Sequence, residues 1–142
     1  MRILLLADQA DPNLWEHLDK RKLEGVDLVL SCGDLPAAYL SFLTCFTPAP
    51  ILYIHGNHDG RYEKNPPEGC TCIEDTIYVH NGVRILGLGG CMRYNRGQHQ
   101  YTEKQMVQRM LEQDLLVVNL TKQHQKFKVC FLEMKMIQYL MV

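Results

Sequence analysis

The residues whose types and spacing could do chemistry stand at the ends of three apolar runs. Asp8 follows the run at 3–7, Gly33-Asp34 follows the run at 26–31, and Gly56-Asn57-His58-Asp59 follows the run at 51–54. Carboxylate and amide oxygens suit hard or borderline divalent cations, and an Asp set between two ions can bridge them. A pair of ions about 4 Å apart clamps a phosphoryl group and turns a bound water into a hydroxide nucleophile near neutral pH. An imidazole beside them can give a proton to a leaving oxygen. A structural explanation competes with this one, because a strand-end Asp often caps the helix that follows. Capping accounts for Asp8 or Asp34 singly, but poorly for both together with Gly-Asn-His-Asp at the third run.

For these residues to meet, the runs before them must be parallel strands. Each run is short and apolar, and segments of helical character separate them, which is the pattern of strand, helix, strand. The carboxyl ends of such strands lie along one sheet edge, where α/β sheets bind ligands. Crossovers therefore make neighbours of residues far apart in sequence. Gly33 and Gly56 allow a sharp turn at the strand end and leave room beside it. The first helix is expected from Pro12 to Gly25, with Asp11 as N-cap and Leu14, Leu18 and Leu23 facing inward. The second is expected from Ala37 to Phe46, stopped by Pro48 and Pro50.

Beyond residue 54 a polar loop is expected through 69. Strands then return at 77–80 and 83–88, joined by Asn81-Gly82, a strong hairpin signal. Gly87-Leu88-Gly89-Gly90 leads into a polar loop at 92–101. Thr102-Glu103-Lys104-Gln105 is a capping box, which starts a helix with Met106, Met110 and Leu111 directed inward. Residues 115–120 and 129–132 could each be a strand.

Composition narrows the class. The 142 residues carry 15 Lys+Arg against 16 Asp+Glu, a net charge of −1, so no general attraction for duplex nucleic acid or an anionic membrane is expected. With 46% hydrophobic and 22% charged residues the chain can bury a core, which excludes disorder. No apolar segment approaches the roughly 20 residues that span a bilayer, and a cytoplasmic location is expected. The six cysteines read as free thiols, and Cys70-Thr71-Cys72 has too few intervening residues for a usual zinc site.

These motifs, in this order, resemble the calcineurin-like metallophosphoesterases. That family has Asp-x-His after its first strand, Gly-Asp after the second, Gly-Asn-His-Asp or -Glu after the third, and later histidines including a Gly-His-x-His. Cys32-Gly33-Asp34 and His55-Gly56-Asn57-His58-Asp59 carry the likeness, which spans roughly residues 1–110. The stretch from Arg93-Tyr94 to Gln100-Tyr101-Thr102-Glu103 resembles one from a bacterial branch. The resemblance implies an α/β fold, the N-terminal portion of a calcineurin-like sandwich: a parallel-type sheet with flanking helices plus a hairpin. It implies two divalent ions (Mn, Mg, Fe or Zn), with Asp8 on the first, Asp34 bridging and Asn57 on the second. His58 would then hydrogen-bond the phosphate and protonate the leaving group, Asp59 would orient that imidazole, and Arg93 would contact substrate phosphate. The implied substrate is a phosphorylated small molecule or nucleotide, cleaved as a phosphomonoester or phosphodiester.

The sequence also departs from the family. Asp8-Gln9-Ala10 lacks the His of Asp-x-His, leaving Asp11 as the nearest substitute. The run at 129–132 is followed by Glu133-Met134, and no Gly-His-x-His occurs. The chain thus reads as a single incomplete domain over 1–142, with an atypical tail from 115 that a truncation or frame shift would explain. His99 and His124 are candidate replacement ligands outside any matching motif, while Tyr53, Tyr62 and Tyr94 could line a pocket or simply fill the core and its rim. The competing functional reading is a non-catalytic binding or scaffold module on the same fold, like the retromer subunit that resembles these enzymes. A third is a fragment with an uncovered sheet edge and apolar face.

Overall fold

The computed structural model describes the backbone of residues 1–121 and the side chains of residues 1–113. The strands β1 (Ile3–Leu6), β2 (Leu28–Ser31), β3 (Ile51–Tyr53) and β4 (Thr71–Cys72) form one parallel sheet in that order. Leu4 pairs with Val29, Leu30 with Leu52, and Tyr53 with Cys72. β2 and β3 are buried throughout, so they read as unbroken apolar runs without alternation.

The pleat sends side chains to two cores. On one face Leu6, Val29, Ile51 and Tyr53 meet Leu14, Leu35, Tyr39, Leu40 and Leu43 from the crossovers. On the other, Leu28, Leu30, Leu52 and Ile54 meet Ile73 and Ile85. The second face is covered by the antiparallel hairpin of β5 (Ile77–His80) and β6 (Val83–Leu86), turned at Asn81-Gly82 as the sequence predicts. Both turn residues have positive φ, 49° and 76°. Leu5 stays 49% exposed, so the β1 end of this face is left uncovered. The architecture is mixed α/β: a four-stranded parallel sheet flanked by helices, with a hairpin against it.

The first crossover differs from expectation. Asp11 caps α1 (Pro12–Trp15), accepting from Asn13 N at 2.9 Å, but the helix stops after one turn and a short 3-10 turn occupies Lys20–Lys22. Asp19 breaks it, because its carboxylate takes the Arg21 N–H and starts a new turn. Leu14 and Leu23 are buried as expected, and Leu18 is half-buried. In the second crossover α2 (Ala37–Thr44) buries Tyr39, Leu40 and Leu43 completely. Each such side chain stabilises the fold by roughly 1.5–3 kcal/mol.

Two short parallel strands, β7 (Cys91–Met92) and β8 (Gln100–Tyr101), fall within the stretch the sequence suggests is a plain loop. The capping box forms: Gln105 N donates to Thr102 Oγ1 at 3.3 Å, and Thr102 N donates back to Gln105 Oε1 at 2.9 Å. It opens α3 (Glu103–Thr121). Residues 115–120, a candidate strand from sequence, therefore lie in a helix, which continues because no Gly or Pro interrupts it. The expected inner face is also corrected. Leu111 is 59% and Met110 38% exposed, whereas Arg109 is drawn inward and Gln113 is buried. The candidate strand at 129–132, and His124, lie outside the described residues.

Candidate metal site at the strand ends

The first three strands end side by side, and the backbone between them leaves no slack. Asp8 N donates to Gly33 O at 3.2 Å, Cys32 N to Leu6 O at 2.8 Å, and Ile54 N to Ser31 O at 3.2 Å. Gly33 has φ +95°, and a Cβ there would overlap the backbone nitrogen of Gly56. A Cβ on Gly56 would in turn overlap Asp34 Oδ1. Only glycine at both positions lets the second and third loops touch.

Asp8 and Asp34 have φ of 62° and 57°, the left-handed region that costs most L-residues roughly 1–2 kcal/mol and that Asp tolerates better than most. Two such residues at adjacent strand ends are the kind of strain that clusters at functional sites. The turn that delivers Asn57 and His58 is pinned from below by Asp59, which is 3% exposed. Its Oδ2 accepts N–H bonds from Asp34 at 2.7 Å and Gly56 at 2.8 Å. Burial raises its carboxyl above the usual range, with those two N–H groups opposing. Asp59 thereby ties two loops together; beside it the His58 ring is exposed, and the His58 backbone N–H donates to Asp34 Oδ1 at 2.8 Å.

Several oxygens at this edge have no hydrogen-bond partner among the described residues: the Asp8 carboxylate, Asp34 Oδ2 and Asn57 Oδ1. Asn57 uses its other end, donating from Nδ2 to the Tyr94 hydroxyl at 2.9 Å. Among the described residues no group of three or more His, Cys, Asp or Glu side chains could hold a metal ion. Two carboxylates and an amide oxygen are the donor types that a hard ion such as Mg²⁺ or Mn²⁺ takes, alongside water and phosphate oxygens. For a second ion the described residues supply no further set.

The other sequence candidates have their own engagements. Asp11 caps α1 and pairs with Lys22 Nζ at 2.6 Å. Arg93 donates from Nε and Nη2 to Gln100 O at 3.4 and 3.3 Å. His99 stacks on His55, ring centroids 4.5 Å apart and ring planes nearly parallel.

A second ionic cluster was not legible in the sequence. Glu74 accepts from His55 N at 2.9 Å, Gly89 N at 3.0 Å and Arg109 Nη2 at 2.5 Å, and its Oε2 lies 3.4 Å from His55 Nδ1. Arg109 also reaches Asp75 Oδ1 at 2.8 Å and Gly89 O at 2.7 Å, with its guanidinium 4.1 Å from the Tyr101 ring centroid. Burial works against Glu74's charge, yet the bonds from His55 and Arg109 prevail and hold its carboxyl at about 2. The neighbouring Cys72 thiol and Glu74 carboxylate push His55 up to about 10, against its burial. Glu74 and Arg109 stand in no motif, and only tertiary folding makes them neighbours.

No protein-family model matches this chain, and no curated protein matches it. No helix among the described residues is long and apolar enough to cross a membrane.

Proposed function

We propose that the chain has the metal-dependent phosphoesterase architecture of the calcineurin-like type and acts on a phosphorylated small molecule or nucleotide. The observation that carries this reading is the row of unpartnered oxygens from Asp8, Asp34 and Asn57 at one sheet edge, held on strained or glycine-backed turns. A strand-end Asp that only caps a helix accepts N–H bonds with its carboxylate, and the Asp8 carboxylate accepts none among the described residues. A divalent ion bound there supplies positive charge for the phosphoryl oxygens and acidifies a water. The chain's own part is to hold the ion through Asp8, Asp34 and Asn57, and to keep Asp34 oriented through the His58 N–H. The exposed His58 imidazole would then give a proton to the leaving-group oxygen.

A second reading, a binding module without turnover, is favoured by the absence of a third His, Cys, Asp or Glu ligand among the described residues. One experiment separates the two. The phosphoesterase reading expects at least one equivalent of Mn²⁺ in calorimetric titration, hydrolysis of p-nitrophenyl phosphate or its bis ester, and loss of both in Asp34→Asn. Mn²⁺ binding without hydrolysis favours the module, and less than one equivalent with no hydrolysis sinks the enzyme.

A further inference from the structure

Cys72 stands where the sheet gathers a thiol, an imidazole and a carboxylate on one face. β4 is the last strand in the order β1-β2-β3-β4, so one flank of Cys72 is open, and the residue is exposed. On its other flank is β3, where Cys72 lies opposite Tyr53, and the ladder runs one step further through Ile73 N and Tyr53 O at 2.9 Å. Side chains paired across neighbouring strands share a face, as do residues two apart along each strand. The register therefore groups Tyr53 and His55 of one strand with Cys70, Cys72 and Glu74 of the other.

Within this group His55 is held from several sides. Its ring meets Tyr53 edge-on at 5.6 Å, touches Tyr62 and stacks on His99, and its Nδ1 lies 3.4 Å from Glu74 Oε2. A carboxylate that holds an imidazole beside a thiol is an arrangement that makes cysteine nucleophilic, because the imidazole favours the thiolate. The same residue types could suggest zinc, but among the described residues no set of three or more of them could hold a metal ion. The two thiols of this face are treated differently. Burial pushes Cys70 up to about 11. Burial also opposes the Cys72 thiolate, yet His55 and the Glu74 backbone N–H outweigh it, and the thiol lies below its ordinary value. An exposed thiol favoured as thiolate, with a second cysteine two residues away, is the pattern of cysteines that oxidise reversibly.

We propose that Cys72 is a nucleophilic thiol, held ready by His55 and Glu74, that reacts with small hydroperoxides. The sulfur attacks one peroxide oxygen, an S–O bond forms as the O–O bond breaks, and the departing hydroxide takes a proton from solvent and leaves as water. Sulfur is oxidised by two electrons to a sulfenic acid while the peroxide is reduced by two. The proposal needs none of the oxygens of Asp8, Asp34 and Asn57.

The test compares Cys72 with Cys45, which is exposed at the end of α2, in the full chain by peptide mass spectrometry. With limiting iodoacetamide at pH 7, Cys72 is expected to react about threefold faster or more, since a gain in thiolate outruns the accompanying loss of nucleophilicity. Its pH profile should have a midpoint below 9, the ordinary thiol value. In concentrated urea the two rates should become equal, because the partners of Cys72 are brought together only by folding. Hydrogen peroxide with dimedone present should label Cys72 before Cys45. His55→Gln is expected to slow Cys72 to the Cys45 rate or below; if that variant does not fold, the urea comparison on the unaltered chain decides alone. Equal rates in the folded chain, an advantage that survives urea, an unchanged Cys72 rate in folded His55→Gln, or dimedone on Cys45 first or on neither would each overturn the proposal.

Discussion

Two charged clusters flank the exit of β3, and they are built in opposite ways. At the strand ends Asp8, Asp34 and Asn57 keep oxygens without protein partners, on backbone that is strained or forced to be glycine. Around Glu74 each charge is paired: the carboxylate takes two backbone N–H groups and a guanidinium, and Arg109 also donates to Asp75 and Gly89 O. The first arrangement carries backbone strain and leaves oxygens open to solvent. The second ties β3, the hairpin exit and α3 into one body. An ionic cluster is thus no guide to chemistry by itself; what separates a site from a brace is whether the partners are already present.

If that contrast is right, the brace dominates stability and the strand ends dominate binding. The largest effect is expected from Glu74→Ala, which leaves Arg109 half-buried without its main partner and should cost about 3–5 kcal/mol in denaturant unfolding. Acid should reveal the same group. Its carboxyl is held at about 2 in the fold against 4.5 ordinarily, so its contribution is complete above about pH 4.5 and lost as pH falls towards 2. That contribution is up to about 3 kcal/mol. The stability gap between the unaltered chain and Glu74→Gln should therefore close over this window, and a gap constant from pH 7 to 2.5 would refute the assignment. Gly33→Ala is expected to cost about 1–3 kcal/mol, since its Cβ has only the Gly56 backbone to displace. Asp8→Asn, at an exposed position whose backbone Asn also tolerates, should change stability by less than about 0.5 kcal/mol while weakening Mn²⁺ binding. A large stability loss there would make Asp8 structural and erase the comparison.

What the sequence conveyed follows from range. The runs at 3–7, 26–31 and 51–54, the Asn81-Gly82 turn, the Asp11 cap and the Thr102 capping box are local signals, and each forms, the strands being shorter than the runs by one or two residues. The parallel sheet follows from the first three because consecutive crossovers leave few alternatives. β4, β7 and β8 are two residues each, too short for periodicity to register. α1 ends early because Asp19 competes for backbone, a choice between turn and helix that composition leaves balanced. At the site, Asp8, Asp34 and Asn57 could be placed on one edge from spacing alone. The bond from Tyr94 to Asn57 and the partners of Asp59 could not, since they depend on how loops from different crossovers close. The inward side of α3 differs from the apolar pattern for a related reason: Arg109 turns in because Glu74 waits there, and hydrophobicity gives no hint of it.

The contact between Gly33 and Gly56 has a consequence for how this sequence can vary. Neither residue has an atom to give up, so a side chain gained at one position cannot be offset at the other. A library randomised at both and selected only for folding, with no metal or substrate present, would return the original pair. Invariance at these two positions would then report the geometry of closure between two loops, and the record of chemistry would have to be sought at their neighbours.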